Sequence, residues 1–425
     1  MTKLLRWGET IFAIASIFFF SQGLFGLVID TSNSQNSPDS SSSMLRMIAS
    51  IIYFVTIALL GLRWQLTCRA ILKNKWMVAL LALAVASALW SSMPTVVLKK
   101  VISLIGTTLF GLYLGTQYSF DRQLKLMGWA FGLAIPLCFL FIFRGDGVMY
   151  TEAISGAWKG IYLHKSTLGE NMFISFLMFY GLASLYPRRR LLCGVACLLS
   201  VILIIFSKSA ISLLSLVAIV ILLNVLKYSS LRSKLGVSAI CFSIVLFLMV
   251  QAALIFNISE FLDFNNKDIT ISGRTPLWDS LWEFVQMKAL LGYGYGSFFS
   301  ASHLETEMLW TVYKWGPVHA HNGYLQILVN LGFVGFSIFI LGYFYNLGKA
   351  LILYLILKDY RTLWMFSFLL YTLVFNFTEV SFMSINHLNW VISVAYIYSL
   401  NPGHVMVPLN VIDAVPYGRQ LPSHE

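Results

Sequence analysis

The sequence predicts an all-α fold, a polytopic membrane helix bundle of about 12 transmembrane helices. Of its 425 residues, 58% are hydrophobic and only 11% are charged, whereas a soluble domain carries roughly 25% charged residues. The apolar residues come in blocks of about 16–25, the length that a helix needs to cross a hydrocarbon core of ~30 Å. These blocks are too long for barrel strands and do not alternate as such strands do, so helices are the expected spanning structure.

The predicted spans follow these blocks in order along a single membrane domain, residues 1–425. The first span ends at about residue 28, and a Ser- and Asn-rich loop follows at 31–43. The other predicted spans are 44–62, 76–92, 99–117, 124–143, 166–186, 191–207, 209–226, 235–256, 323–347, 362–378 and 386–400.

The short loops orient the bundle, because Lys and Arg accumulate on the cytoplasmic side of a membrane protein. The basic clusters at 63–75, 188–190 and 227–234 fall on one side if the N-terminus is cytoplasmic. The tail at 401–425 is then also cytoplasmic, and the long loop at 257–322 lies outside. The formal net charge of +11 is thus explained by topology and lipid bilayer contact, and we expect no nucleic-acid partner.

The long loop contains a candidate anion site. Thr275 is a favoured N-cap and Pro276 a favoured first helical residue. Apolar residues at helical spacing then predict an amphipathic interfacial helix, anchored by Trp278 and Trp282. Arg274 precedes the helix N-terminus, where free N–H groups favour an anion, and its guanidinium suits a phosphate. The alternative is an arginine that reaches the lipid headgroups.

Further along the loop, alternating Gly and Tyr at 292–296 predict a tight turn that presents Tyr293 and Tyr295. Such a turn can approach a ligand closely or can simply lie at the interface.

The loop re-enters the membrane at His319-Ala320-His321-Asn322. Histidine is the natural general base near neutral pH, so His321 is the candidate, with a pH limb near 6.5. Two alternatives stay open: a structural histidine at a helix start, and a metal site formed with His319.

Cations also occupy two shorter outer segments, His164-Lys165 and Ser207-Lys208-Ser209. A lysine in so short a turn between apolar helices needs a partner, although Lys208 could instead extend to the lipid surface.

Together these segments resemble the O-antigen ligase and polysaccharide polymerase superfamily of bacterial membrane glycosyltransferases. The matching pieces are W-x-G-x-x-x-H-K-x-x-x-G at 158–169, the turn at 207–209, G-R-T-x-x-W at 273–278, the Gly-Tyr turn and H-N-x9-G-x-x-G at 321–335. Their order is that of the family, and the first pattern favours the exopolysaccharide-polymerase branch. Family members carry an arginine in the second piece, where this chain has Lys208.

The resemblance implies a polyprenyl-diphosphate-linked glycan as donor and a glycan or lipid hydroxyl as acceptor. It also implies a bacterial inner-membrane location, with the active site facing the periplasm. His321 would take the proton from the acceptor, while Arg274 and Lys208 stabilise the leaving diphosphate in an inverting reaction without metal or cofactor. Expected substrate-binding residues are His164, Lys165, Trp278, Tyr293, Tyr295, His319 and Asn322.

Two other function classes stay open on sequence. A transporter or flippase of lipid-linked glycans or another solute needs ionisable residues along a central path, and the candidates are Glu170, Asn330 and Asn376. The clustering of cations at one surface favours an enzyme. A non-catalytic assembly partner is the third class.

Overall fold

The computed structural model describes residues 3–23, 25–28, 43–150, 156–228, 274–300, 303–313 and 316–400. The elements are α1 Lys3–Phe20, α2 Phe25–Val28, α3 Ser43–Gly61, α4 Trp64–Lys73, α5 Lys75–Ala86, α6 Pro94–Gln117, α7 Phe120–Arg144, a two-stranded ribbon of β1 Val148–Met149 and β2 Ala157–Trp158, α8 Lys165–Leu185, α9 Arg190–Phe206, α10 Ala210–Tyr228, α11 Arg274–Met287, α12 Leu304–Val312, α13 Gly323–Leu357, α14 Tyr360–Phe375 and α15 Leu388–Ser399.

The all-α membrane fold is confirmed. Within the described residues, six helices are long and apolar enough to cross a membrane, and a seventh span forms if α4 and α5, bent by 90°, are taken together. Three shorter apolar helices, 210–226, 360–375 and 388–399, match further predicted spans. The predicted span at 235–256 and the tail at 401–425 lie outside the described residues, so the count of 12 stays a prediction.

Helix α15 packs closely against α6 because α6 presents two glycines. A Cβ atom on Gly111 would lie 2.7 Å from Val394 Cβ, and one on Gly115 would overlap the Ala395 carbonyl. Small residues that let backbones approach are the usual means of helix association in membranes. Trp390 Nε1 donates to Thr108 Oγ1 at 2.9 Å, and this contact fixes the N-terminal end of α15.

Helix α13 is broken at Gly332, which has φ 61° and ψ −166°. The Gly-Tyr turn packs into this break. Tyr293 N donates to the Val329 carbonyl and Gly294 N to the Asn330 carbonyl, both at 2.9 Å. In return, the amides that follow Gly332 donate to carbonyls just after α11. A Cβ on Gly292 would lie 2.7 Å from this backbone. The two glycines therefore join the loop and α13 into one unit.

The predicted amphipathic helix exists, but its start and its environment differ from the expectation. It begins at Arg274, so Thr275 is not the N-cap and Pro276 lies inside the first turn. Its apolar face does not simply rest on lipid. Leu277 and Leu281 are fully buried in a second apolar cluster, whose other members are Val285, Tyr293, Phe298, Phe299, Leu309, Ala320, Leu328 and Val329.

Candidate active site

A cavity of about 1010 Å³ opens at one end of the helix bundle. Every segment that lines it lies at the end predicted to face the periplasm. Of the ten residues that the sequence nominated, seven line the cavity: His164, Lys165, Lys208, Arg274, Tyr295, His319 and His321. The fold thus gathers residues that are up to 157 positions apart in the chain, from His164 to His321.

The N-termini of five helices meet at this cavity. Residues at or just before the starts of α8, α10, α11, α13 and α15 all line it. The N-terminus of an α-helix carries about half a positive charge and presents unpaired N–H groups. Several of these N–H groups are already capped, for example by His164 at α8 and by Asn322 at α13. The converging helix dipoles, together with the lysines and the arginine, are what would favour an anion here.

Arg274 is held by a neighbouring loop but keeps donors available. Its Nη1 donates to the Thr378 carbonyl at 2.7 Å, and its Nη2 lies 3.4 Å from Glu379 Oε1. These contacts engage two of the five N–H donors of a guanidinium. Burial raises the pKa of Glu379, and Arg274 opposes that rise. A bound anion would compete with this single carboxylate contact for the guanidinium.

The two imidazoles of His319 and His321 are adjacent, with ring centroids 4.0 Å apart. His319 Nδ1 accepts from the His321 amide at 3.2 Å, and His321 has a left-handed backbone, φ 48°. Burial first, then His319, Arg274 and His164, hold the pKa of His321 far below its usual value. Burial likewise lowers the pKa of His319 to about 4. Both rings are therefore neutral at pH 7. The predicted loss of activity near pH 6.5 does not fit the pKa of His321 in the site without a bound ligand.

The turn that carries Lys208 is fixed from both sides. Trp158 stacks on Phe206 at 4.3 Å, and Lys208 itself has φ 52°. A Cβ on Gly169 would lie 2.7 Å from Ser212 Oγ and 2.8 Å from Ser209 Cβ. Gly169 is thus required for α8 to meet this turn, which explains two positions of the first sequence pattern.

His164 and Lys165 form the start of α8. His164 Nδ1 accepts from the Ser166 amide at 3.3 Å and so caps the helix. Burial, with contributions from Lys165 and Arg274, lowers the pKa of His164. This ring has a structural partner as well as a place on the cavity wall.

Three nominated residues do not line the cavity. Asn322 is the N-cap of α13, and its Oδ1 accepts from the Tyr324 and Leu325 amides. Trp278 Nε1 donates to the Ala320 carbonyl at 2.9 Å. Tyr293 is buried in the second apolar cluster. Direct substrate contact by these three has no support from the geometry, because each side chain is engaged in holding the loop.

Sequence reasoning missed the loop at 376–387, which contacts both Arg274 and the segment that carries His321. Gly323 N, two residues after His321, donates to the carbonyls of Asn376 at 2.7 Å and Glu379 at 3.1 Å. The same loop holds Arg274. The signal was a run of polar residues directly after the span predicted at 362–378, but no local pattern indicates which distant segments such a run contacts.

Three further ionisable groups on the cavity wall were not nominated for catalysis, namely Glu170, His387 and Lys100. Glu170 Oε1 accepts from Asn389 Nδ2 at 2.5 Å and lies 3.5 Å from His387 Nε2. Burial lowers the pKa of His387 to about 4. Lys100 of α6 also lines the cavity. The sequence indicates Glu170 only as a candidate for a transport path.

Residues 195–340 match the family model described as O-antigen ligase. This range includes Lys208, Arg274 and His321. The exopolysaccharide production protein ExoQ of Rhizobium meliloti (strain 1021) is 25% identical over 277 residues, which cover 61% of this chain and 61% of that protein. The alignment spans less than two thirds of the relative's length. The similarity is to a protein of exopolysaccharide production, the branch that the first sequence pattern favours.

Proposed function

We propose that this multi-pass membrane protein, whose residues 195–340 match the O-antigen ligase family model, is a glycosyltransferase of cell-surface polysaccharide biosynthesis. It transfers a glycan from a polyprenyl-diphosphate donor to a hydroxyl of a glycan or lipid acceptor. We further propose that it lies in the bacterial inner membrane with the cavity facing the periplasm.

One observation carries this proposal: cationic side chains and five helix N-termini surround the same cavity as His321. A diphosphate is the leaving group that such a site would stabilise most. Charge that develops on a leaving group is best stabilised by fixed cations and dipoles in a site that excludes water. The cations would also take the place of a metal ion.

In the proposed reaction, the acceptor oxygen attacks the anomeric carbon while His321 takes the hydroxyl proton. The bond between the anomeric carbon and the diphosphate oxygen breaks with inversion, and the polyprenyl diphosphate leaves towards Arg274 and Lys208. A bound diphosphate would also change the base. Its negative charges offset the effect of Arg274 and raise the pKa of the imidazole, so donor binding prepares His321 to accept the proton.

The test is reconstitution of the purified protein in liposomes with a defined polyprenyl-diphosphate oligosaccharide. We expect a lengthened or transferred glycan together with released polyprenyl diphosphate, in the presence of chelator. His321→Ala should remove product, whereas Arg188→Ala, at an exposed cation on the opposite face, should not. Movement of the donor across the bilayer without a new glycosidic bond, equal in wild type and His321→Ala, would instead favour the transporter.

A further inference from the structure

Outside the cavity, three side chains form a serine–histidine–carboxylate arrangement. Ser92 Oγ lies 3.1 Å from His303 Nε2, and His303 Nδ1 lies 2.7 Å from Glu305 Oε2. Ser92 is in the turn before α6, and the other two residues begin α12, 211 positions away. The Nδ1 contact is close, but its hydrogen-bond angle is poor, as is common for catalytic contacts before substrate binds.

The imidazole is rigidly held. Its side chain is only 2% exposed, and it packs against the rings of Tyr293 and Phe298, each with its centroid 5.7 Å away. Burial lowers the pKa of His303, and Glu305 opposes that shift. The ring is therefore neutral at pH 7 and can accept a proton. A buried imidazole placed between a hydroxyl and a carboxylate is the set of groups that a catalytic triad uses, and here the Nδ1 contact with Glu305 has the distance but not yet the angle of a hydrogen bond.

Ser92, by contrast, is exposed to the outer solvent, so its hydroxyl is accessible to a substrate. It lies just before the N-terminus of α6, a helix of 24 residues. Its neighbour Ser91 is differently placed, because Ser91 Oγ is buried and accepts from the Met93 amide at 3.2 Å. In the first turn of α6, Pro94 has no N–H, and the Val96 and Val97 amides donate to the Met93 carbonyl. The Thr95 amide and the helix dipole are therefore what would stabilise the negative charge on the acyl carbonyl oxygen.

We propose that Ser92, His303 and Glu305 form a second catalytic site, which cleaves carboxylic esters at the outer face. Ser92 Oγ attacks the acyl carbonyl carbon while its proton passes to His303 Nε2. The C–O bond of the ester breaks, and His303 returns that proton to the departing alcohol. Water, activated in the same way, then attacks the acyl-serine and releases the carboxylic acid. Glu305 stabilises the imidazolium in both halves.

O-acyl groups on a saccharide are the substrate class that best fits this position, an assignment that rests on the proposed function. Lys100, which lines the cavity, belongs to α6, the helix that Ser92 precedes. It lies about 9 Å along the helix axis from Pro94, the first residue of α6. A glycan bound in the cavity could thus present an acyl ester near Ser92. The ester chemistry itself is independent of glycosyl transfer.

A fluorophosphonate probe, which reacts with activated serines, tests the site on the purified full chain. Wild type should be labelled, with the adduct at Ser92 by peptide mass analysis. Labelling should be absent in Ser92→Ala, at least tenfold slower in His303→Gln, and slower in Glu305→Gln. Ser91→Ala should be labelled normally. His321→Ala should also be labelled, even though glycosyl transfer is lost, so the two proposals fail separately.

Two results would overturn the proposal. One is labelling of folded wild type no greater than that of heat-denatured protein. The other is equal labelling in Ser92→Ala. Either would mean that Ser92 and His303 only fasten the outer loop to α6. Melting temperatures of the variants show whether His303→Gln is still folded, and Glu305→Gln, at a quarter-exposed side chain, provides a less disruptive second variant.

Discussion

The two ends of the bundle use arginine differently. At the end predicted to be cytoplasmic, Arg361 grips both oxygens of Asp121 at 2.8 and 2.9 Å, and Arg63 likewise contacts both oxygens of Glu9. At the cavity, Arg274 makes one backbone contact and one carboxylate contact at 3.4 Å. A closed bidentate pair holds helices together, whereas a partly engaged arginine can still receive an anion.

Backbone conformation separates the two ends in the same way. Among the described residues, six that are not glycine have a left-handed φ. Four of them line the cavity, namely Gln22, Lys208, His321 and Met383. Each such residue costs of order 1–3 kcal/mol and persists where the surrounding structure enforces it. Asn386 also lies at the cavity end, whereas Lys358 lies at the opposite end. Most of this backbone strain is therefore at the cavity end, as is common at functional sites.

The largest expected effect distinguishes the two neighbouring histidines at the cavity. His321→Ala should lower product formation by about 10²–10⁴-fold, because a positioned base is lost. His319→Ala should cost far less. The measurement is the rate of glycan product by purified variants, with and without chelator. Equal loss in both variants with inhibition by chelator would favour the metal site instead.

Next in size is the contrast between the arginines. Arg274→Ala should lower product by about 10²–10³-fold with little change in melting temperature, and Arg274→Lys should also be impaired. Arg361→Ala should act on stability, because it leaves Asp121 buried without its partner, a loss of about 3–5 kcal/mol. Activity and thermal unfolding of both variants check this. If Arg274→Ala retained full activity, the difference between the two ends would have no functional meaning.

The break in α13 allows a matched pair of glycine changes. The Cβ of Gly332→Ala would collide with the Leu290 backbone, and residue 332 would also have to keep its left-handed conformation. The substitution should therefore destabilise the protein by more than about 1–3 kcal/mol. Gly348→Ala, on the inner half of the same helix, meets open space and should be neutral or slightly stabilising. Thermal unfolding in detergent measures both. A harmless Gly332→Ala would show that the loop and α13 are not rigidly joined.

A smaller effect is expected at Lys208. Lys208→Ala should cost roughly 10–100-fold in activity, the value of a charge-assisted contact, whereas Lys208→Arg should be tolerated. The exposed Lys73 of the opposite face provides the control, Lys73→Ala. Full activity in Lys208→Ala would assign Lys208 to the lipid surface and remove it from the diphosphate site.

The last prediction concerns pH. The pKa values of His319 and His387, about 4, and that of His321 lie below the unfolded value of ~6.5. Unfolding thus takes up protons, so stability is full above about pH 6.5 and falls as the pH drops towards 4. Activity per folded molecule should stay level as the pH passes through 6.5. At lower pH, kcat should begin to fall at a higher pH than kcat/KM, because bound donor raises the pKa of His321. A single limb at 6.5 in both would contradict this.

The sequence by itself determined the membrane-spanning fold, nearly all the described spans, and seven of the residues that line the cavity. It could do so because span length and composition follow directly from the hydrocarbon thickness, and because the matching pieces are local in the chain. The patterns also include the glycines at 169 and 332, although the sequence does not show that a side chain at either position would collide with a neighbouring segment.

Only the tertiary structure decided which side chains face the cavity and which hold the loop. Asn322, Trp278 and Tyr293 belong to the patterns that indicate function, yet each is used by a hydrogen bond or a buried cluster. Glu379 carries no pattern, yet it meets Arg274 from 105 positions away. Such contacts depend on how helices pack and where loops return, and packing joins residues whose separation in the chain leaves no local signal.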